Sequence, residues 1–94
     1  MDIVELIRNA SSAPQVLAAL SAYAQTLRDI AALPEGFVQP LQGEADVRER
    51  MAMLFAVVNL TSQHRLHDQC DAAKRALRVF AAALQRLRRA RPRA

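Results

Sequence analysis

The sequence predicts an all-α fold, a small antiparallel bundle of one short and three longer helices, and three observations support this. Of the 94 residues 52% are apolar, but there is no Trp, one Tyr and three Phe, so the core must consist mainly of Leu and Ala, which favours close helix packing. Only two Gly and four Pro occur, and both Gly and two Pro fall within residues 34–43. Residues 51–60 are apolar at nine of ten positions. We expect a single helical domain over residues 1–94, with its helices near 3–10, 13–32, 44–62 and 67–90.

The first two helices are predicted from their start signals. Asp2 and Glu5 have the spacing of a capping box, which favours a short helix over 3–10. Ser12 can cap a second helix, with Gln15 reaching back and a Pro in the first turn, where a missing amide costs little. The second helix carries an apolar seam that faces the bundle, and it ends before the next Pro. The seam consists of Val16, Leu20, Tyr23, Leu27 and Ile30.

The loop over 34–43 is rich in Gly and Pro but also contains Phe37, Val38 and Leu41. We interpret it as a loop that packs these apolar side chains over the open end of the core. The alternative is a loop that docks a partner.

After the second Gly, no Gly or Pro follows until the last Pro, so this stretch forms either one helix of more than 40 residues or a hairpin of two. An apolar seam starts at Val47 and recurs at steps of three and four residues. If it continued, its next positions would be Thr61 and Arg65, and both are polar. A continuous helix would therefore need a stutter. Asp68 lies where a new helix N-terminus favours an acid. We favour a hairpin that turns within residues 59–68.

The first helix of this hairpin, over 44–62, is predicted to be the central helix of the bundle. Its middle is apolar on every face, and such a helix is expected to be buried on every side. The apolar run is shorter than the roughly 20 residues that a membrane span needs, and charged residues at 48–50 adjoin it. We therefore expect no membrane segment.

The last helix has two apolar stripes side by side. The main seam runs from Leu66 to Leu87, and beside it lies a stripe of small residues that would let another helix approach closely. A helix with two contact faces is either interior to its own bundle or shared with a second subunit. We predict a two-fold homodimer that uses the second stripe as its interaction face. This face consists of Ala72, Ala76, Val79 and Ala83.

Charge is divided unevenly along the chain. Residues 1–73 contain five Arg and nine acids, whereas residues 74–94 contain eight basic residues and no acid. The candidate basic patch consists of Arg75, Arg78, Arg86, Arg88, Arg89 and Arg91, and it leads into a basic tail over 88–94. Such a surface can bind nucleic-acid phosphates, but no aromatic side chain is near enough to stack on bases. The alternative is a helix end whose arginines aid solubility and offset the helix dipole.

His64 and His67 are the one candidate pair of metal ligands, with Cys70 three residues further on. Cys70 falls in the apolar seam, where a free Cys behaves as a small hydrophobic residue. We therefore expect a polar turn without a metal. No phosphate-binding Gly loop, nucleophile elbow or Glu-x-x-His pair occurs, so no catalytic residue and no cofactor are expected.

The function that the sequence favours is a non-enzymatic helical protein–protein interaction module with a regulatory, adaptor or chaperone-like role, self-associating and open to a further protein partner. The alternative is a small nucleic-acid-binding protein that uses its Arg-rich last helix. A single cysteine excludes an internal disulfide, and acids stand where a secretory signal carries bases, so a cytoplasmic location is expected.

Overall fold

The computed structural model describes residues 2–30 and 33–90, which form four α-helices. They are α1 (Ile3–Asn9), α2 (Ala13–Leu27), α3 (Glu44–Gln63) and α4 (His67–Arg89), with a short 3-10 turn over Glu35–Val38. The predicted all-α class is confirmed, and so is the closing hairpin of α3 and α4. No helix among the described residues combines the length and the apolar character that crossing a membrane requires.

The starts of the first two helices differ in how they are capped. The side chain of Asp2 makes no capping hydrogen bond at α1. At α2, the Ser12 hydroxyl accepts from the Gln15 amide at 3.4 Å, as its position predicts. The Gln15 side chain reaches back one residue further than expected, because its Oε1 accepts from the Ser11 amide at 2.7 Å.

Helix α2 ends earlier than predicted. The seam was expected to continue through Ile30, but the helix stops at Leu27, and Ile30 is 56% exposed in the turn that follows. Residues 31 and 32, the end of the predicted helix, lie outside the described residues. The early end allows the chain to turn back and bury Leu33 and Phe37 in the core.

The turn between α3 and α4 closes with two backbone hydrogen bonds characteristic of a helix C-terminus. The Leu66 amide donates to the Thr61 carbonyl at 2.8 Å, and the Arg65 amide donates to the Ser62 carbonyl at 3.2 Å. Arg65 adopts the left-handed conformation, with φ at 56°, where Gly is the usual residue.

Thr61 lies differently from what the spacing argument assumed. It is buried in the continued seam of α3, and its hydroxyl donates to the Val57 carbonyl at 2.6 Å. The hairpin is present as predicted, but the assumption that polar Thr61 lies outside the apolar seam was wrong, because Thr61 is part of the core.

Helix α4, not α3, is the centre of the bundle. It packs against α3 on one side and against α1 and α2 on the other. The expectation that α3 is buried on every side is wrong, because Phe55 and Leu60 are each 57% exposed. The physical reason is that α1 and α2 cover α4 and leave the far side of α3 without a helix over it.

The loop over 34–43 closes the core, as predicted. Phe37 and Leu41 are buried and Val38 is half-buried, and the ring centroids of Phe37 and Phe80 lie 5.6 Å apart. An aromatic pair at this separation and tilt contributes packing beyond its buried area. The loop is therefore tied to the middle of α4.

The left-handed residue of the turn provides a test of the hairpin. Arg65→Gly should raise the free energy of unfolding by about 0.5–1 kcal/mol, because a side chain at positive φ costs about 1–2 kcal/mol and the greater flexibility of Gly offsets part of this gain. The matched control is Gln63→Gly, in the right-handed last turn of α3, which should lower stability by up to about 1 kcal/mol. Urea melts that show equal losses for both variants would contradict the turn geometry.

Candidate functional site

The outward side of α3 presents apolar side chains to solvent. We call it the outer face, and its members recur at helical spacing so that they lie side by side. They are Ala52, Phe55, Ala56, Asn59 and Leu60, all of them exposed. The charged Arg48 and Glu49 precede the outer face, and the polar Gln63 ends it.

The outer face differs from the other large exposed apolar side chains in lying along one helix. Ile30 and Leu66 are exposed singly, in the turn after α2 and in the hairpin turn, whereas Leu6 lines a separate cleft of about 500 Å³ between α1 and α2 with Ala18 and Ala19. Single exposed apolar residues are ordinary, whereas a continuous apolar strip marks a contact surface. Phe55 supplies the aromatic side chain that such surfaces commonly use as an anchor.

The interaction face expected from the sequence needs correction. All four of its residues are buried within the chain itself: Ala72, Ala76, Val79 and Ala83. Small side chains allow helices to approach closely, and the helices that pack against α4 are the chain's own α1, α2 and α3. The second stripe of α4 is thus interior to the bundle, and a contact with a second subunit has to use another surface.

The predicted basic patch is divided between structural and exposed arginines. Arg88 pairs with Glu44, with Nε 3.0 Å from Oε1, and so joins the end of α4 to the start of α3. Arg86 donates from Nη2 to the Ala10 carbonyl at 2.7 Å, at the C-terminal end of α1. The side chains of Arg75, Arg78 and Arg89 are exposed, and Arg91 lies outside the described residues.

A buried arginine on α3 was missed by the sequence analysis. Arg50 is 5% exposed, and its Nε donates to the Phe37 carbonyl at 3.0 Å while Nη2 reaches the Gln39 carbonyl at 3.5 Å. Its position, three residues after Val47 and four before Leu54, places it on the buried side of the helix. That spacing was the available signal, but the charges at 48–50 were used only as an argument against a membrane span.

The two histidines of the candidate metal pair are exposed to solvent. His64 and His67 lie on either side of the hairpin turn, and Cys70 is buried, with its Sγ 3.9 Å from the Val58 carbonyl. Within residues 2–30 and 33–90, no three His, Cys, Asp or Glu side chains are grouped so that they could hold a metal ion.

A cleft of about 230 Å³ lies between the start of α1 and the middle of α4, with Tyr23 in its wall. Burial raises the pKa of the Tyr23 phenol above its ordinary value of 10.0, the nearby Arg75 lowers it, and Asp2 raises it further. The phenol is therefore neutral at physiological pH, where it can donate a hydrogen bond but is not a ready base.

The chain matches no protein-family model, no curated protein and no solved structure. A functional proposal therefore rests on the outer face and the arginine contacts described above.

The buried arginine provides a prediction about the loop. Arg50→Met keeps much of the side-chain length but leaves the Phe37 and Gln39 carbonyls without their donor, so it should lower the free energy of unfolding by about 1.5–3 kcal/mol. Arg48→Met is the matched control, because its side chain is 58% exposed and its pair with Glu44 is long, at 3.7 Å. The control should change stability by less than about 0.5 kcal/mol in the same urea melts. Equal effects would mean that Arg50 does not hold the loop.

Proposed function

We propose that the protein is a non-enzymatic helical interaction module that self-associates through the outer face of α3. The observation that carries this proposal is the continuous exposed apolar surface around Phe55 and Leu60. A chain of 94 residues has a small core and buries a limited apolar area on its own. Covering the outer face by self-association would add to that buried area.

A second copy of the chain is the occupant that suits this surface. Two-fold pairing brings the outer face of one copy onto the outer face of the other, so one apolar strip covers a second of equal length. Ala52 and Ala56 are one turn apart and small, which lets two α3 helices approach closely. No charged residue lies between them and Leu60, so pairing there buries no unpaired charge.

The cellular role that goes with this surface is regulatory, adaptor or chaperone-like. A pair of α3 helices leaves α1 and α2 free on the opposite side of α4, where a further protein partner could bind. Cys70 is buried and unpaired, which suits the reducing cytoplasm that we include in the proposal.

Nucleic-acid binding is the second candidate, and the observation that favours it is the exposure of Arg75, Arg78 and Arg89 on α4. It is the weaker proposal, because Arg86 and Arg88 already have partners within the chain. Binding of this kind would be sequence-independent and would fall steeply with added salt.

Sedimentation at micromolar concentration should give a mass near twice that of the 10.4 kDa chain. Phe55→Glu combined with Leu60→Glu should weaken the dimer at least tenfold, because pairing would then bury carboxylates without partners. Leu6→Glu is the matched control, since Leu6 is 46% exposed but lies on α1. It should leave the dimer intact. Circular dichroism should show the same helicity for all variants, and a monomeric unmodified chain would refute the proposal.

A further inference from the structure

A small cleft between the end of α1 and the last turns of α4 brings together basic side chains from both helices. Its volume is about 80 Å³. Arg8 comes from α1, and Arg86, Arg89 and Gln85 come from α4, while Ile7 and Ala82 complete the lining. We call this cleft the arginine notch.

The arginine notch carries positive charge without a matching acid. Its lining includes no carboxylate, and the ion pairs recorded among the described residues involve Arg48, Arg50 and Arg88 rather than the notch arginines. The guanidinium of Arg forms paired hydrogen bonds with oxyanions, which makes it the preferred side chain for binding phosphate.

Arg86 is already held in place within the notch. Its Nη2 donates to the Ala10 carbonyl at 2.7 Å, which links the end of α1 to α4 over 76 residues of sequence. Its Nε is buried and has no hydrogen-bond partner among the described residues. This Nε is shielded from solvent, so the guanidinium of Arg86 contributes positive charge to the notch rather than a free Nε donor.

Helix dipoles explain only part of this arrangement. Arg8 lies in the last turn of α1 and Arg89 in the last turn of α4, and positive charge is favourable at both ends. The dipoles account for a positive charge at each helix end, but they leave three guanidinium groups around one small cleft with no carboxylate in its lining.

We propose that the arginine notch binds one tetrahedral oxyanion, a phosphate group, between Arg8, Arg86 and Arg89. The size of the cleft supports a single such group, because sites for drug-sized ligands occupy about 300–1,000 Å³. The phosphate group could be free or carried as a monoester whose remainder projects into solvent. This site is separate from the outer face of α3 and does not depend on self-association.

The test is a titration followed by NMR, with chloride adjusted so that ionic strength stays constant. Inorganic phosphate should give saturable shifts in the Nε–Hε signal of Arg86 and in the amides around Arg8 and Gln85. A parallel titration with phenyl phosphate distinguishes the sources: binding of both indicates that an esterified phosphate is accepted, and binding of inorganic phosphate alone indicates a site for the free ion.

Two double variants with the same loss of charge decide whether the notch is specific. Arg8→Gln with Arg89→Gln should weaken binding at least tenfold, and both side chains are exposed, so the fold should be retained. Arg75→Gln with Arg78→Gln removes two exposed arginines of α4 outside the notch and should change the Kd less than twofold. Shifts that do not saturate, or equal weakening in both double variants, would overturn the proposal.

Discussion

The packing of α4 is the constraint on which the rest of the structure depends. This helix is apolar on two sides, and both sides must be covered for it to be buried, which α3 does on one side and α1 with α2 on the other. The Phe37–Phe80 contact then closes the end of the core against the same helix. Because three helices are used to cover α4, none is left to cover α3, whose outer face remains both apolar and exposed.

Local signals in the sequence were sufficient to predict the helices, the packed loop and the hairpin. The Ser12 cap, the Gly and Pro residues of 34–43 and the acid at Asp68 each act within a few residues, whereas Thr61, which was taken as a polar break, is buried in the seam of α3. The sequence was not sufficient to decide which helix lies at the centre. Both the run over 51–60 and the stripe from Ala72 to Ala83 are apolar, and periodicity does not identify the neighbour that covers each of them. The structure buries the stripe and exposes part of the run.

The polar contacts of two arginines could not be predicted from the sequence either. Arg50 and Arg86 both donate to backbone carbonyls of other segments, at Phe37 and at Ala10, and the sequence around each arginine contains no sign of these partners. Each contact joins a helix to the end of a shorter element, where carbonyls lack partners within that element. Part of the predicted basic patch is therefore exposed, whereas Arg86 of that patch and Arg50 outside it stabilise the fold from within.

The most direct measurement of the outer face as an interface is cross-linking between single cysteines, in a Cys70→Ala background. Cysteines placed one at a time at Ala52, Phe55, Ala56 and Asn59 scan the face, and Ala22, an exposed residue of α2, is the control. A disulfide requires Cα atoms within about 7 Å, so it forms readily only near the two-fold axis of a symmetric pair. Under mild oxidation, at least one outer-face position should give a cross-linked dimer while the Ala22 variant stays monomeric. No cross-link at any outer-face position, or equally fast cross-linking at Ala22, would contradict pairing through α3.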